Sequence, residues 1–271
     1  MLTRENMKGR YVLVITPMNE DMSVDYDGHR SNIRQLLEMG VDGIILNGTN
    51  GEFHTCTDEE RYKLAERLVH EAKGKLMCIA GGSSINTADA IRRAKRYADI
   101  GVDGIMNVVP YYLPPTKAEC YQYFRDLAAA VSDIGIILYN NPMTTQVLFT
   151  DNDCLELEDV PNFVGSKMQG GDMWSYLNVL RRTSTKHFPL EQLWGISNAV
   201  GGPGVMASFI YACPGLMMRW WKAISGGDLE TAIKMQHENN ELLQEVVLPP
   251  FTRGASEVAG TKAFVCTCPV A

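Results

Sequence analysis

Two segments of the chain share one pattern, and this repeat constrains the fold more than any other feature. The segments EMGVDGIIL at 38–46 and DIGVDGIMN at 99–107 each combine a helix end, a glycine turn and a short apolar strand. A repeated helix-to-strand unit predicts a parallel sheet, because the helix carries the chain back to the start of the next strand. The strands are continuously apolar, which is typical of strands covered on both faces.

The same alternation runs through most of the sequence. Apolar runs predict strands at 11–16, 44–46, 76–80, 105–106, 135–139 and 163–166. Amphipathic segments predict helices at 25–39, 88–99 and 117–131, and Thr57 with Glu60 forms a capping box that starts another helix. So many repeats in one chain favour an α/β fold of the (β/α)8 TIM-barrel type over an open sheet. No G-x-G-x-x-G follows the first strand, which argues against a dinucleotide-binding sheet.

The alternation of strands and helices ends near residue 214, and this change divides the chain into two predicted parts. Residues 1–213 are expected to form the barrel, and residues 214–271 a C-terminal helical region packed on the same domain. Within the second part, helices are predicted at 215–225 and 228–247, because the glycines between them interrupt the apolar periodicity.

The last two strands are predicted at 192–196 and 203–207. The connection between them would be Ser197 to Pro203, whereas a strand-to-strand crossover with its helix takes at least about a dozen residues. Either the crossover helix has been lost or a segment is missing, and we expect the barrel to be open on that side.

The composition indicates which kinds of binding partner and which compartment to expect. The formal net charge is -7 and no basic stripe is present, so a nucleic-acid partner is not expected. The 7 cysteines are odd in number and scattered, which favours reduced thiols and a cytoplasmic location. No apolar run approaches the length of a membrane span, roughly 18 residues, and the N-terminus lacks an apolar signal segment, so no membrane partner is expected.

Polar side chains that directly follow the apolar strands are candidates for chemistry, because barrel active sites lie at the carboxyl ends of the strands. Lys167 stands alone after Phe163-Val164-Gly165. Burial of an ammonium group is costly and favours the neutral amine that attack on a carbonyl requires. A surface lysine or a salt-bridged lysine is an equal alternative from position alone.

Three other strand ends carry weaker signals. Tyr139 ends the fifth strand, where it either passes protons or is a half-buried aromatic residue. The loop Gly48-Thr49-Asn50-Gly51 offers backbone N–H groups to a carboxylate, although turns of this composition are common. Tyr111 and Tyr112 follow the fourth strand and serve either packing or a subunit contact.

Taken together, these motifs resemble the dihydrodipicolinate synthase and N-acetylneuraminate lyase family, the class I pyruvate-dependent aldolases. The matching segments, in chain order from Thr16-Pro17 to about Lys262, are GTNGE at 48–52, IAGGSS with Asn86-Thr87, PYYLPPT at 110–116, YNNP at 139–142 and VGSKMQGGD at 164–172. The last segment is similar to the family pattern V-G-x-K-x-x-x-G-D, whose lysine forms the Schiff base.

The resemblance implies a role for each candidate residue. Lys167 is the Schiff-base nucleophile, and Tyr139 relays protons together with Thr49 and Tyr112. Gly48, Thr49 and Asn50 bind the carboxylate of pyruvate or another 2-oxo acid, and Tyr112 reaches the site across a subunit interface. The family is usually a tetramer built as a dimer of dimers, so a homo-oligomer, dimer or tetramer, is implied. No cofactor and no metal ion are expected, since the imine itself withdraws electrons.

One departure from the family pattern affects the substrate. The synthase has an arginine two residues after the proline of Y-N-x-P, where it binds the carboxylate of the second substrate, and Thr144 stands there instead. A neutral hydroxyl cannot replace a bidentate guanidinium. We therefore expect a lyase or aldolase with another aldehyde partner, and Thr144 is assigned to substrate binding. The alternatives are a 2-keto-3-deoxy sugar-acid dehydratase or aldolase and a condensation like that of the synthase.

Two further alternatives come from other classes. One is a barrel that binds a ligand without turnover, and the retention of both Lys167 and Tyr139 argues against it. The other is a class II aldolase, which needs histidine and carboxylate ligands clustered around a metal ion. The 5 histidines are scattered, and only His54 lies near the predicted mouth, as a loop residue or a substrate contact.

Overall fold

The computed structural model describes residues 1–254 and 257–267. Eight parallel strands form a nearly closed barrel, in the order β7-β6-β5-β4-β3-β2-β1-β8. The strands are β1 (Gly9–Leu13), β2 (Gly43–Leu46), β3 (Met77–Gly81), β4 (Gly104–Asn107), β5 (Gly135–Asn140), β6 (Phe163–Met168), β7 (Lys186–Phe188) and β8 (Gly204–Ala207). The predicted (β/α)8 TIM barrel is confirmed.

Helices alternate with the strands and then continue beyond β8. The first seven are α1 (Tyr26–Glu38), α2 (Asp58–Ala72), α3 (Thr87–Ile100), α4 (Lys117–Ala130), α5 (Pro142–Thr145), α6 (Asp151–Leu155) and α7 (Met173–Arg182). The others are α8 (Trp194–Ala199), α9 (Phe209–Ala212), α10 (Pro214–Ser225), α11 (Leu229–Leu242), α12 (Leu248–Thr252) and α13 (Glu257–Thr267). None of the described helices is both long enough and apolar enough to cross a membrane.

The repeated GVDG segment joins helix to strand in the same way both times. Asp42 accepts a hydrogen bond from the backbone N–H of Arg10 at 2.8 Å, and Asp103 accepts one from the backbone N–H of Cys78 at 3.0 Å. Each aspartate therefore fastens the start of its own strand to the preceding strand of the sheet. Gly101 closes α3 in the left-handed region, with a φ of 95°, which a residue with a Cβ rarely adopts.

Side chains rather than a channel fill the inside of the barrel. The interior cluster takes residues from most of the strands, including Tyr11, Ile45, Ile137 and Phe188. The rings of Tyr11 and Phe188 meet edge to face at 5.4 Å, across the side where β7 and β8 are neighbours. Layers of large apolar side chains are the usual filling of this fold.

The prediction of a seventh strand at 192–196 is wrong. The strand lies earlier, at Lys186–Phe188, and residues 191–199 form a short 3-10 turn followed by α8. The crossover helix between β7 and β8 is therefore present, in a short form. A short apolar run does not distinguish a strand from a buried helix. Within α8, the ring of Trp194 lies 4.9 Å from the ring of Trp220 in α10.

An open barrel was expected if the crossover helix were missing, but this helix is present and the barrel is nearly closed. No ladder joins β7 to β8 among the residues that the structure describes. The strand β7 has only 3 residues, so it pairs with β6 and offers little length to a second neighbour.

The C-terminal helical region predicted after residue 213 is present as α10 to α13. Residues 255, 256 and 268–271 lie outside the described residues, and with them the end of the predicted second part. The division of the chain at residue 213 stays a prediction.

Candidate active site

Lys167 and Tyr139 stand side by side at the carboxyl ends of β6 and β5. The two residues are direct partners in the parallel ladder, so their side chains project in the same direction. Lys167 Nζ donates a hydrogen bond to the Tyr139 hydroxyl at 3.2 Å and lies 4.2 Å from the centre of the tyrosine ring. Both residues are buried, with 5% of Lys167 and 6% of Tyr139 exposed.

Lys167 forms no ion pair with a carboxylate group in the described residues. No carboxylate oxygen of the described residues lies within 4.0 Å of its Nζ atom. Neither alternative from the sequence, a surface lysine or a salt-bridged lysine, describes its surroundings.

A cavity of about 240 Å³ at the same end of the barrel is lined by Tyr139, whereas Lys167 and Asn50 are not among its lining residues. Four of the residues predicted for the site line it: Gly48, Thr49, Tyr139 and Thr144. Residues that sequence reasoning did not single out as lining residues also contribute, including Asn47, Phe53, Ser83, Met106 and Val108. The cavity is mainly apolar with a few polar groups, the usual composition of a small-molecule site.

The loop after β2 presents backbone N–H groups at the edge of this cavity. Thr16 Oγ1 donates to the carbonyl oxygen of Gly51 at 2.6 Å, and the N–H of Glu52 donates to the carbonyl of Thr49 at 3.0 Å. These bonds hold the turn in shape. Within the described residues, the N–H groups of Gly48, Thr49 and Asn50 donate to no acceptor. Consecutive unpaired N–H groups of a turn form a concave site for an anion.

Two expected contacts of the proton relay are not made within the single chain. Tyr112 is 80% exposed and does not line the cavity, whereas its neighbour Tyr111 does. Thr49 lines the cavity, yet no hydrogen bond joins it to Tyr139 in the described part of the chain. The hydroxyl of Tyr139 instead donates to Oε1 of Gln169, one residue beyond β6.

The residues missed by sequence reasoning carry little signal of their own. Gln169 occupies an unspecified position of the lysine motif, so nothing in the pattern draws attention to it. Ser83 Oγ accepts a hydrogen bond from the N–H of Val108 at 3.1 Å, which links the loop after β3 to β4. Its place directly after an apolar strand, in IAGGSS, was the only available indication.

The histidines do not gather at the site. His54 lines the cavity from an exposed position, edge to face with Phe53 at 5.7 Å. Burial lowers the pKa of His29 to about 4 and that of His187 to about 3, and both lie elsewhere in the fold. In the described ranges, no group of three or more His, Cys, Asp or Glu residues is arranged to hold a metal ion.

The (β/α)8 barrel thus places a buried lysine without a carboxylate partner beside a tyrosine at the carboxyl ends of its strands, an arrangement suited to a lysine-dependent aldolase of the class I type. The profile of the dihydrodipicolinate synthetase family matches residues 6–264. The 4-hydroxy-tetrahydrodipicolinate synthase of Neisseria meningitidis serogroup B is 34% identical over 232 residues, which are 83% of this chain and 78% of that protein.

Solved structures agree with the sequence match. Dihydrodipicolinate synthase from Aquifex aeolicus has a TM-score of 0.83 and 31% identity, over 89% of this chain and 82% of that one. The chloride-inhibited dihydrodipicolinate synthase of Acinetobacter baumannii, solved with pyruvate, has a TM-score of 0.82 and 25% identity, over 91% and 87%. The chain belongs to the dihydrodipicolinate synthetase family. It is an enzyme, a Schiff-base-forming lyase of the class I aldolase type that acts on pyruvate or a related 2-oxo acid.

Proposed function

We propose that Lys167 is the nucleophile that forms the Schiff base. The observation that carries this proposal is the burial of its amine, without a carboxylate partner, within 3.2 Å of the Tyr139 hydroxyl. The amine is thereby kept close to a group that exchanges protons, and both groups border the cavity end of the barrel. Covalent catalysis by lysine requires this combination of a neutral amine and a nearby acid and base.

The carboxylate of the 2-oxo acid binds to the loop after β2. The N–H groups of Gly48, Thr49 and Asn50 are unpaired in the described residues, and a carboxylate is the anion that every 2-oxo acid carries. Anion binding by backbone N–H groups costs no side-chain ordering. With the carboxylate there, the ketone carbon is directed towards Lys167 across the cavity.

Tyr139 moves protons while bonds form and break. The Lys167 nitrogen attacks the ketone carbon, and Tyr139 passes a proton from that nitrogen to the former carbonyl oxygen, which gives a carbinolamine. Tyr139 protonates the leaving hydroxyl, and loss of water gives the iminium. The Tyr139 oxygen, which has just given up its proton, then takes a proton from the adjacent carbon, and this gives the enamine. Its carbon attacks the carbonyl carbon of the aldehyde, whose oxygen takes up a proton, and water then releases product and free Lys167.

The second substrate is an aldehyde without an anion at the position that Thr144 contacts. Thr144 lines the cavity, and its Oγ1 atom donates to the carbonyl of Asn141 at 3.2 Å. The hydroxyl therefore offers one uncharged polar group. A carboxylate placed there would lose water without gaining a cation, which is costly. Cleavage or formation of an aldol with a neutral, hydroxylated aldehyde fits this site better.

A condensation like that of the relatives is the second candidate, because the relative that is 34% identical is a 4-hydroxy-tetrahydrodipicolinate synthase. A panel of aldehydes that differ in charge separates the two candidates. Faster turnover of pyruvate with neutral aldehydes supports the first, and faster turnover with an aldehyde that carries a carboxylate supports the second.

The active assembly is a homo-oligomer in which Tyr112 completes the site of a partner. Tyr112 and Leu113 follow β4 and Met143 follows β5, the neighbouring strand, and the three side chains are 75% to 82% exposed. Large exposed apolar side chains grouped at one place mark interaction surfaces. The thiols of Cys56, Cys78, Cys120 and Cys154 are buried and free, which suits a reducing compartment and hence the cytoplasm.

Inactivation by borohydride in the presence of pyruvate tests the nucleophile. Wild type is expected to lose activity only when both reagents are present, because borohydride reduces the imine to a stable amine. Lys167→Arg removes the nucleophilic amine and keeps a long side chain, so it should be inactive from the start. Lys186→Arg, on the neighbouring strand β7, is the matched control and should behave as wild type. If Lys167→Arg formed as much pyruvate adduct as Lys186→Arg does, the assignment of Lys167 would be rejected.

A further inference from the structure

Gln169 completes a directed chain of hydrogen bonds at the proposed catalytic pair. Lys167 Nζ donates to the Tyr139 hydroxyl at 3.2 Å, and that hydroxyl donates to Oε1 of Gln169. A phenol has one proton to donate, whereas its oxygen accepts other bonds. Because Gln169 takes that proton, the oxygen of Tyr139 presents its lone pairs to the amine.

The backbone of Gln169 is fixed on two sides. Its N–H donates to the carbonyl of Asn140 at 3.0 Å, which continues the pairing of β5 with β6 beyond the last ladder pair. The next residue, Gly170, packs closely against the segment that follows β5, where an added Cβ would lie 2.6 Å from Pro142 Cγ. The acceptor oxygen is therefore presented from a rigid position, as a group that orients another side chain needs.

Gln169 is not a lining residue of the 240 Å³ cavity. It lines a separate cavity of about 170 Å³ between the ends of β6 and β7, together with Tyr176 and Gln192. Its side chain thus reaches the proposed chemistry through Tyr139. A neutral amide has no proton to lose or gain at ordinary pH, so it keeps the direction of the Tyr139 hydroxyl constant.

We propose that Gln169 is a positioning residue for imine formation: it holds the Tyr139 hydroxyl with its oxygen lone pairs towards Lys167, so that this oxygen accepts the proton of the attacking nitrogen while the hydroxyl proton leaves Gln169 for the oxygen of the carbinolamine. This inference rests on the proposed roles of Lys167 and Tyr139. Without the acceptor, the hydroxyl rotates about its C–O bond and spends part of its time in directions that do not serve the transfer. Proton transfer depends steeply on such geometry.

The test is the rate of imine formation at saturating pyruvate, measured by rapid quenching with borohydride. Gln169→Met keeps the length of the side chain and removes the acceptor, and we expect it to slow the rate about 10-fold. The pyruvate concentration for half-maximal rate should not change, since the carboxylate site is the loop after β2. Gln192→Met, in the same second cavity and without contact to Tyr139, is the control that should keep the wild-type rate.

A double-mutant cycle with Tyr139→Phe separates positioning from a general structural effect. Tyr139→Phe alone should slow the rate by about 100-fold or more, and Gln169→Met should add no further loss in that background. Gln169→Leu replaces Gln169→Met if the latter does not fold, as judged by circular dichroism.

Two results would overturn this inference alone. One is a wild-type rate in Gln169→Met, and the other is an equal additional loss in the Tyr139→Phe background, which would place the effect of Gln169 outside the tyrosine. Absence of any adduct in wild type is a different result, because it removes the proposed function of Lys167 and this inference with it.

Discussion

At the scale of single residues, the site depends on two side chains that neighbouring strands hold in register. Lys167 and Tyr139 are opposite one another in the ladder of β6 with β5, so backbone hydrogen bonds fix their separation. The Nζ atom of Lys167 also lies 4.2 Å from the centre of the tyrosine ring, so the ring covers the amine on one side. Strand residues position catalytic groups more rigidly than loop residues do.

Thr144 sets the charge preference for the second substrate. Thr144→Arg places a guanidinium at the mouth of the cavity, and we expect kcat/KM for an aldehyde that carries a carboxylate to rise by about 10-fold relative to a neutral aldehyde of similar size. The comparison of the two aldehydes within one variant removes differences in expression. Thr144→Val, which is close in shape and uncharged, is the control. An unchanged preference in Thr144→Arg would mean that this position does not contact the aldehyde.

Lys167 and Tyr139 were predictable because each follows an apolar strand and matches a family motif. The loop residues Gly48 and Thr49 were predictable for the same reason. Gln169 was not, since its contact with Tyr139 depends on the path of the chain after β6, which no local pattern determines. The proton relay through Tyr112 stays a prediction, because it needs a second copy of the chain.

At the scale of elements, two features hold the barrel together: the GVDG turns between helix and strand, and the close strand contacts that glycine permits. Asp103 accepts hydrogen bonds from the Cys78 N–H at 3.0 Å and from Lys73 Nζ at 2.6 Å. Burial by itself would raise the pKa of this carboxyl group. The hydrogen bonds and the positive charge of Lys73 outweigh burial and hold the pKa below its ordinary value.

Asp103 should make stability depend on pH in the acid range. A carboxyl group with a lowered folded-state pKa stabilises the fold above its unfolded pKa, and this contribution is lost as pH falls through the folded pKa. Asp103→Asn keeps an acceptor for Cys78 and loses the charge, so it should reduce the free energy of unfolding by about 2 kcal/mol at pH 7. Urea titrations of both proteins should converge at acid pH, near or below the ordinary value of 3.8.

The exposed Asp99→Asn serves as the control for this pH series. It removes the same charge without a hydrogen-bonded partner and should match wild type within about 0.5 kcal/mol at all pH values. If the free energies of unfolding of Asp103→Asn and wild type differed by the same amount at every pH, the charge of Asp103 would not be the cause of the difference.

Gly165 lets β6 and β7 approach one another two residues before Lys167. A Cβ on Gly165 would lie 1.8 Å from the carbonyl oxygen of Lys186, which is backbone and cannot move aside alone. Gly165→Ala should therefore lower the free energy of unfolding by about 3 kcal/mol and displace β7. Gly215→Ala is the matched control, because its Cβ would come no nearer than 3.7 Å to any neighbour and α10 should gain slightly. Equal stability of the two variants would contradict this.

The strand boundaries show where element prediction works and where it fails. Strands β2 to β6 came within two residues of their predicted ends, because each is an apolar run between clear turn signals. The strand β7 was missed because its 3 residues include the polar, buried His187, whose ring is hydrogen-bonded to Ser166 at 2.7 Å. Tertiary contacts, not local pattern, make Lys186–Phe188 a strand and residues 194–199 a helix.

At the scale of the whole molecule, the barrel presents an incomplete site that a second copy is proposed to complete. Tyr112 is 80% exposed and is not among the residues that line the 240 Å³ cavity. The exposed Leu113 and Met143 give the surface around it an apolar character. A cyclic dimer that buries this surface would exchange the two tyrosines symmetrically.

Mixing two inactive variants tests this exchange. Lys167→Met and Tyr112→Phe each damage one half of a shared site, so a mixed dimer contains one intact site and one doubly damaged site. After subunit exchange at equal concentrations, about a quarter of all sites should be intact, because half of the dimers are mixed. Recovery of about a quarter of wild-type activity is expected. No recovery, with mixed oligomers verified by native mass spectrometry, would mean that Tyr112 acts in its own chain or not at all.

The central claim is that one buried lysine carries the chemistry, and mapping of the pyruvate adduct tests it most directly. The protein is treated with pyruvate and borohydride, weighed intact, digested and sequenced by mass spectrometry. We predict one adduct per chain, on the peptide that contains Lys167, and none on the peptide that contains Lys186. An adduct on another lysine, or a folded protein without any adduct, would contradict the account.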